Sequence, residues 1–128
     1  MKDIFKPGDQ KLYSTTVSAT DVAAFHGEVV HAVCSTYAIA RDMEWSSRLF
    51  VLELKEPDEE GVGTFVHVNH HAPAIVGQPL DFLATVDFIK GNEIVCNIEV
   101  RQAGNLVASG KTGQKVLKKE KLKSLFKS

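Results

Sequence analysis

The sequence predicts an α+β domain in which an antiparallel sheet wraps one long helix. Three observations carry that expectation. Apolar residues recur at three- and four-residue spacing over one long stretch, Thr36 to Leu54, which is the period of a helix with one buried face. Beyond Gly61 the period falls to two, most plainly at Leu80, Phe82, Ala84, Val86 and Phe88, as in a strand with one buried face. Short turn signals separate the later strands, and tight turns join antiparallel neighbours.

The elements follow in order. After the Pro7-Gly8 turn, Lys11 to Ser18 reads as a first strand. Thr20-Asp21 reads as a helix start leading into a short turn through Phe25, and His26 to Ser35 as a loop. The long helix places Ile39, Ala40, Met43, Ser47, Phe50, Val51 and Leu54 on one stripe. Pro57 and the acidic run Asp58-Glu59-Glu60 end it, because proline cannot continue a helix and the acids belong in water. A strand from Val62 runs to His71 and closes at Ala72-Pro73. Gly91-Asn92 turns the next strand into Ile94, Cys96, Ile98 and Val100, and Ala103-Gly104-Asn105 turns that one into Leu106 to Leu117. The basic cluster Lys118-Lys119-Glu120-Lys121 reads as the solvated face of a short terminal helix, with contact to a phosphorylated ligand as the lesser reading. Strand, long helix and four consecutive strands make an α+β domain of hot-dog type. A cystatin-like or cone-shaped α+β fold shares much of the pattern.

At 128 residues the chain fits a single domain, 1–128, with no repeat or linker to divide it. A net charge of −1 gives no electrostatic reason to expect nucleic acid or an anionic membrane as partner. No apolar run approaches the roughly 18 residues that cross a bilayer, and the first residues lack the apolar core of a secretion signal. A cytoplasmic protein is expected. Cys34 and Cys96 are too few for a disulfide scaffold, and Cys96 reads as a small core side chain.

Glu44 draws attention because it follows Met43 and lies close to the apolar stripe. A carboxylate there needs partners, and Arg41 or Arg48, each within a turn, would supply an ordinary ion pair. His70 shares a strand face with Val66 and Val68, whereas His67 and His71 share the other with Phe65 and Asn69. His67 and His71 stand about 13 Å apart along a strand, too far for one ion, and no metal-ligand spacing is present, so no metal is expected. Thr36 sits where loop meets helix, where an N-cap hydroxyl is its ordinary role. No nucleophile elbow, dinucleotide fingerprint or phosphate loop occurs. A hydroxyl, a carboxylate and an imidazole can together activate an oxygen nucleophile, but spacing alone does not decide it.

A longer pattern adds to this. The run Val30-His31-Ala32-Val33-Cys34-Ser35-Thr36, then Met43-Glu44, then Val62-Gly63-Thr64, then His70 with Ala72-Pro73 and Gly77, resembles the hot-dog thioesterases of the fluoroacetyl-CoA thioesterase-like family. The resemblance extends from about Lys11 to Phe126. It implies a catalytic set of Thr36, Glu44 and His70, a substrate site including Val30, Tyr37, Gly63 and Thr64, and an acyl-CoA as substrate. It implies no cofactor beyond the coenzyme A of that substrate. The fluoroacetyl-selective pattern carries phenylalanine six residues before the threonine and glycine directly after it. Val30 and Tyr37 stand there instead, which points to a general acyl-CoA member.

His70 is the natural base near neutral pH, and the helix start near Thr36 and the backbone at Gly63 are candidate donors to an oxyanion. Eight residues of helix rise about 12 Å, so Thr36 and Glu44 cannot touch within one regular helix. Either Thr36 lies in the preceding loop, or a second copy completes the site. The family resemblance implies a homodimer or higher homo-oligomer joined at sheet edges. The alternative function is a hot-dog protein that binds an acyl-CoA or a small apolar ligand without chemistry.

Overall fold

The computed structural model describes residues 1–25 and 28–126, with the backbone alone at 23–25 and 28–32. In chain order the elements are β1 (Gln10–Thr16), a 3-10 turn (Ala19–Asp21), β2 (Val22–Phe25), β3 (Glu28–Cys34), α1 (Thr36–Leu54), β4 (Glu59–His70), β5 (Pro79–Lys90), β6 (Glu93–Gln102), β7 (Asn105–Lys118) and α2 (Lys119–Leu125). Five strands form one antiparallel sheet in the order β1-β5-β6-β7-β4. Two-residue turns at Gly91-Asn92 and Ala103-Gly104 join β5 to β6 and β6 to β7, where Ala103 and Gly104 both take positive φ, as the twist of a tight hairpin demands.

One face of the sheet receives α1. The helix buries Ile39, Met43, Phe50, Val51 and Leu54 against Leu80, Phe82, Ala84, Ile94, Ile98 and Val100. The alternation expected for β5 holds from Leu80 to Val86 and fails at Phe88, which is exposed because a bulge at Asp87 shifts the facing of the strand end. On β6 Ile94, Cys96, Ile98 and Val100 are buried as expected, with Val95 buried beside them, and the long helix spans the predicted residues. α2 has no buried residue, in keeping with its reading as a solvated terminal helix.

The segment before α1 departs from expectation. Val22–Phe25 is a strand rather than a turn, and most of the segment expected as a loop is β3, paired antiparallel with β2 in a separate two-stranded sheet. His26, assigned to that loop, lies outside the described residues. Apolar residues run continuously from Val29 to Val33 apart from His31, and the pairing slips register twice. No period of two was there to be read. A further antiparallel bridge, Val33 to Ile75, and a hydrogen bond from the Cys34 amide to the Ala74 carbonyl tie β3 to the segment after β4.

β4 forms one edge of the large sheet, and a bulge sets its side-chain facing. Gly63 pairs with Gln114 and Phe65 with Gly113, so Thr64 is the extra residue. On β7 the helix-facing positions include Gly110, where an added Cβ would approach Met43, and Gln114, which bonds to α1. Cross-strand partners share a face. Gly63 before the bulge and Val66, Val68 and His70 after it, the partners of Gln114, Thr112, Gly110 and Ala108, therefore all turn toward α1.

Candidate active site

The helix start brings two of the expected residues together. Ser35, not Thr36, is the N-cap: its Oγ accepts the Ala38 amide at 3.0 Å, and its own amide donates to the Asp21 carbonyl at 2.7 Å. Thr36 is thereby the first helical residue, and its hydroxyl is released from capping. Thr36 Oγ1 lies 2.9 Å from Nδ1 of His70, at the far end of β4. Both side chains are exposed. His71 goes elsewhere: its Nε2 lies 2.8 Å from Ser109 Oγ on β7.

Glu44 occupies a second point on the same seam. It is half-buried, and a Cβ added to Gly63 would overlap its carboxylate. Only glycine lets the strand pass that close beneath the acid. Neither nearby arginine pairs with Glu44. Arg41 bonds Asp21 and Asp42, each at 3.1 Å, and Arg48 bonds Glu60 at 2.9 Å and the Gly61 carbonyl at 3.2 Å. Among the described residues the Glu44 carboxylate enters no ion pair. Two cavities open beside it. One of about 200 Å³ is lined by Glu44, Gly63, Thr64, Phe65 and Val66. The other, about 240 Å³, is lined by Tyr37, Ala40, Arg41, Glu44 and Val66.

Six of the seven residues anticipated for the site thus lie along the α1–β4 seam. Thr36 touches His70; Glu44, Gly63 and Thr64 surround one cavity, and Tyr37 borders the other. Within one chain Glu44 does not join Thr36, because both lie in a single regular helix and are separated by about 12 Å of rise. Val30 lies in β3, and its side chain is outside the described residues.

Both cysteines are free and buried. Burial, with Asp21 and Asp42 nearby, pushes the Cys34 thiol up to about 11, and burial pushes Cys96 up to about 12, so both stay protonated at neutral pH. No three metal-ligating side chains gather among the described residues. Sequence reasoning missed the polar group behind Glu44, formed by Ser47 and Gln114. A polar residue at Gln114, in the alternation of β7 that otherwise ends on buried Val116, was the available signal.

The model of the fluoroacetyl-CoA-specific thioesterase family matches residues 17–120. No curated protein matches the chain in sequence. Among solved structures, a Thermus thermophilus hypothetical protein of the thioesterase superfamily is 29% identical, with a TM-score of 0.92 over 97% of this chain and 92% of its own. A hot-dog-like protein from Thermanaerovibrio acidaminovorans superposes at a TM-score of 0.87 and 23% identity, over 95% of this chain and 90% of its own. A phenylalanine-to-alanine variant of the fluoroacetyl-CoA-specific thioesterase, in complex with fluoroacetate and CoA, gives 0.84 and 19%, over 92% of this chain and 99% of its own. The last two likenesses are of fold, and the fold is the hot-dog.

Proposed function

The chain belongs to the fluoroacetyl-CoA-specific thioesterase family, and from that premise we propose that it hydrolyses a short acyl-CoA thioester with Thr36, Glu44 and His70. The observation that carries this is the 2.9 Å contact between Thr36 Oγ1 and His70 Nδ1. A hydroxyl freed from capping and set on an imidazole is a nucleophile with its base in place.

In this reading His70 takes the Thr36 proton as Oγ1 attacks the thioester carbonyl. The amides of Thr36 and Tyr37, which a helix start leaves without intrahelical partners, face the developing oxyanion. The carbon–sulfur bond then breaks without need of a strong acid, since the thiol has a pKa of about 8.5, and the departing coenzyme A sulfur takes the proton from the His70 imidazolium, which restores the neutral base. That imidazole next takes a proton from water as the water oxygen attacks the acyl-Thr36 ester, and returns it to Thr36 Oγ1 as the carboxylic acid leaves. The two small cavities beside Glu44 suit a short acyl chain. Binding of fluoroacetate and CoA by a protein of the same fold supports a CoA thioester as the substrate class.

Glu44 enters through a second copy. The outer edge of β4 has no strand beside it among the described residues, and such an edge favours pairing. A two-fold antiparallel pairing centred between Val66 and His67 sets His70 of one copy opposite Gly63 of the other. Each active site then draws Thr36 and His70 from one chain and Glu44 from its neighbour, where the carboxylate stabilises the imidazolium. The protein acts as a homodimer or a higher assembly, in the cytoplasm, with no metal and no cofactor beyond the coenzyme A of its substrate.

A panel from acetyl-CoA to hexanoyl-CoA, assayed by free-thiol release, tests this. Turnover on at least one member is expected. Tight binding of the panel with no thiol release above background would instead identify a ligand-binding protein. Sedimentation equilibrium tests the assembly: a folded and active monomer at micromolar concentration contradicts the shared site.

A further inference from the structure

Behind the proposed site, α1 and β7 share a polar contact that an apolar core does not require. Gln114 is 1% exposed and faces the helix. Its Nε2 donates to the Glu44 carbonyl at 3.2 Å and to Ser47 Oγ at 3.0 Å, while Ser47 Oγ donates to the same carbonyl at 2.9 Å. A carbonyl oxygen only accepts, so the amide must present its nitrogen there. Its own Oε1 is then left buried without a partner among the described residues. An orphaned buried acceptor is unfavourable. Methionine would fill a similar volume without that burden, so the amide is explained by what its nitrogen holds.

The cross-strand partner of Gln114 is Gly63, the residue beneath the Glu44 carboxylate. One strand pair therefore meets Glu44 at both ends, Gln114 at its backbone and Gly63 at its side chain. Resting on the reading of Glu44 as catalytic, we infer that Gln114 is a positioning residue that, with Ser47, fixes Glu44 against β7 and so holds its carboxylate over Gly63. The bond from Ser47 alone spans one turn of helix and does not tie the helix to the sheet. Gln114 supplies that tie.

The test is Gln114→Met, which removes the amide and keeps the bulk, assayed on the best-cleaved member of the acetyl- to hexanoyl-CoA panel. The expected result is a kcat lower by about 10- to 100-fold with KM within about twofold, since misplacing a reacting group by about 1 Å costs rate rather than binding. In a Glu44→Gln background the same substitution is expected to cost no further kcat, because residues acting through one group are not additive. A core filler without a positioning role would give the same loss in both backgrounds, and that result overturns the inference. So does full kcat in Gln114→Met alongside an inactive Glu44→Gln, or a loss seen only in KM. Full kcat in Glu44→Gln itself takes down the catalytic reading of Glu44, and is thereby distinguished from failure of the inference alone. Should Gln114→Met not fold, Ser47→Ala removes the bridging hydroxyl and is expected to show a smaller kcat loss of the same kind; an unchanged kcat there overturns the inference.

Discussion

Helix α1 has two unlike flanks. Toward β5 and β6 it meets Phe82, Ala84, Ile98 and Val100, each no more than 1% exposed, and the seam is dry and apolar. Toward β4 and β7 it meets Gly61, Gly63 and Gln114, and the seam carries polar bonds, glycines and two cavities. Both flanks belong to the same helix and the same sheet. The first is built for burial, where each large side chain contributes by leaving water. The second gives up side-chain volume so that a carboxylate can lie against strand backbone. The proposed site accounts for the contrast: burial alone gives no reason for a glycine beneath an acid.

Substitutions should separate the flanks by what they cost. Glu44→Gln is expected to lower kcat by about 10²–10⁴-fold while leaving the unfolding midpoint near that of the parent, because it removes a reacting group and no packing. Thr36→Ala sharpens the mechanism. Near-total loss fits an attacking hydroxyl, and a modest loss fits a water held by His70. Gly63→Ala should act through Glu44, since the new Cβ occupies the space of the carboxylate; a loss of about 10²-fold in kcat is expected from the displaced acid. An active Gly63→Ala would break the contrast on the polar side.

On the dry flank the signs reverse. Phe82→Ala should cost about 3–5 kcal/mol in urea unfolding, with kcat per folded molecule near that of the parent. The smallest effect belongs to Glu60. The Gly61 amide and the Arg48 guanidinium hold its carboxyl below the usual range, so its contribution is present above the ordinary glutamate value and is lost as the pH falls through its lowered folded value. It is about a third exposed, so Glu60→Gln should cost less than about 1 kcal/mol at neutral pH, and the gap between variant and parent should close in acid.

The dry flank was also the more legible one in the sequence. Phe82, Ala84, Val86, Ile98 and Val100 alternate strictly, and the stripe from Ile39 to Leu54 holds its period, so β5, β6 and α1 were readable from spacing. The hairpin of β2 and β3 was not, because a nearly continuous apolar run, broken only at His31, with slipped pairing has no period of two. Thr64 was readable as part of a motif but not as a bulge, which appears only when β4 is laid against β7. The parity of β4 rests on that bulge: without it Gly63 and His70 would face opposite sides. The meeting of Thr36 with His70, 34 residues apart, likewise needed the fold. Gln114 was hidden because a polar residue on a strand is ordinarily a solvated one, and its burial comes from the helix above it.

The most direct test of the account compares two adjacent histidines, His70 on Thr36 and His71 on Ser109. With kcat/KM measured for His70→Ala and His71→Ala on the same short acyl-CoA, the account predicts a loss of about 10²–10⁴-fold in the first and a rate near the parent's in the second. An inactive His71→Ala beside a near-normal His70→Ala would contradict the assignment of the site.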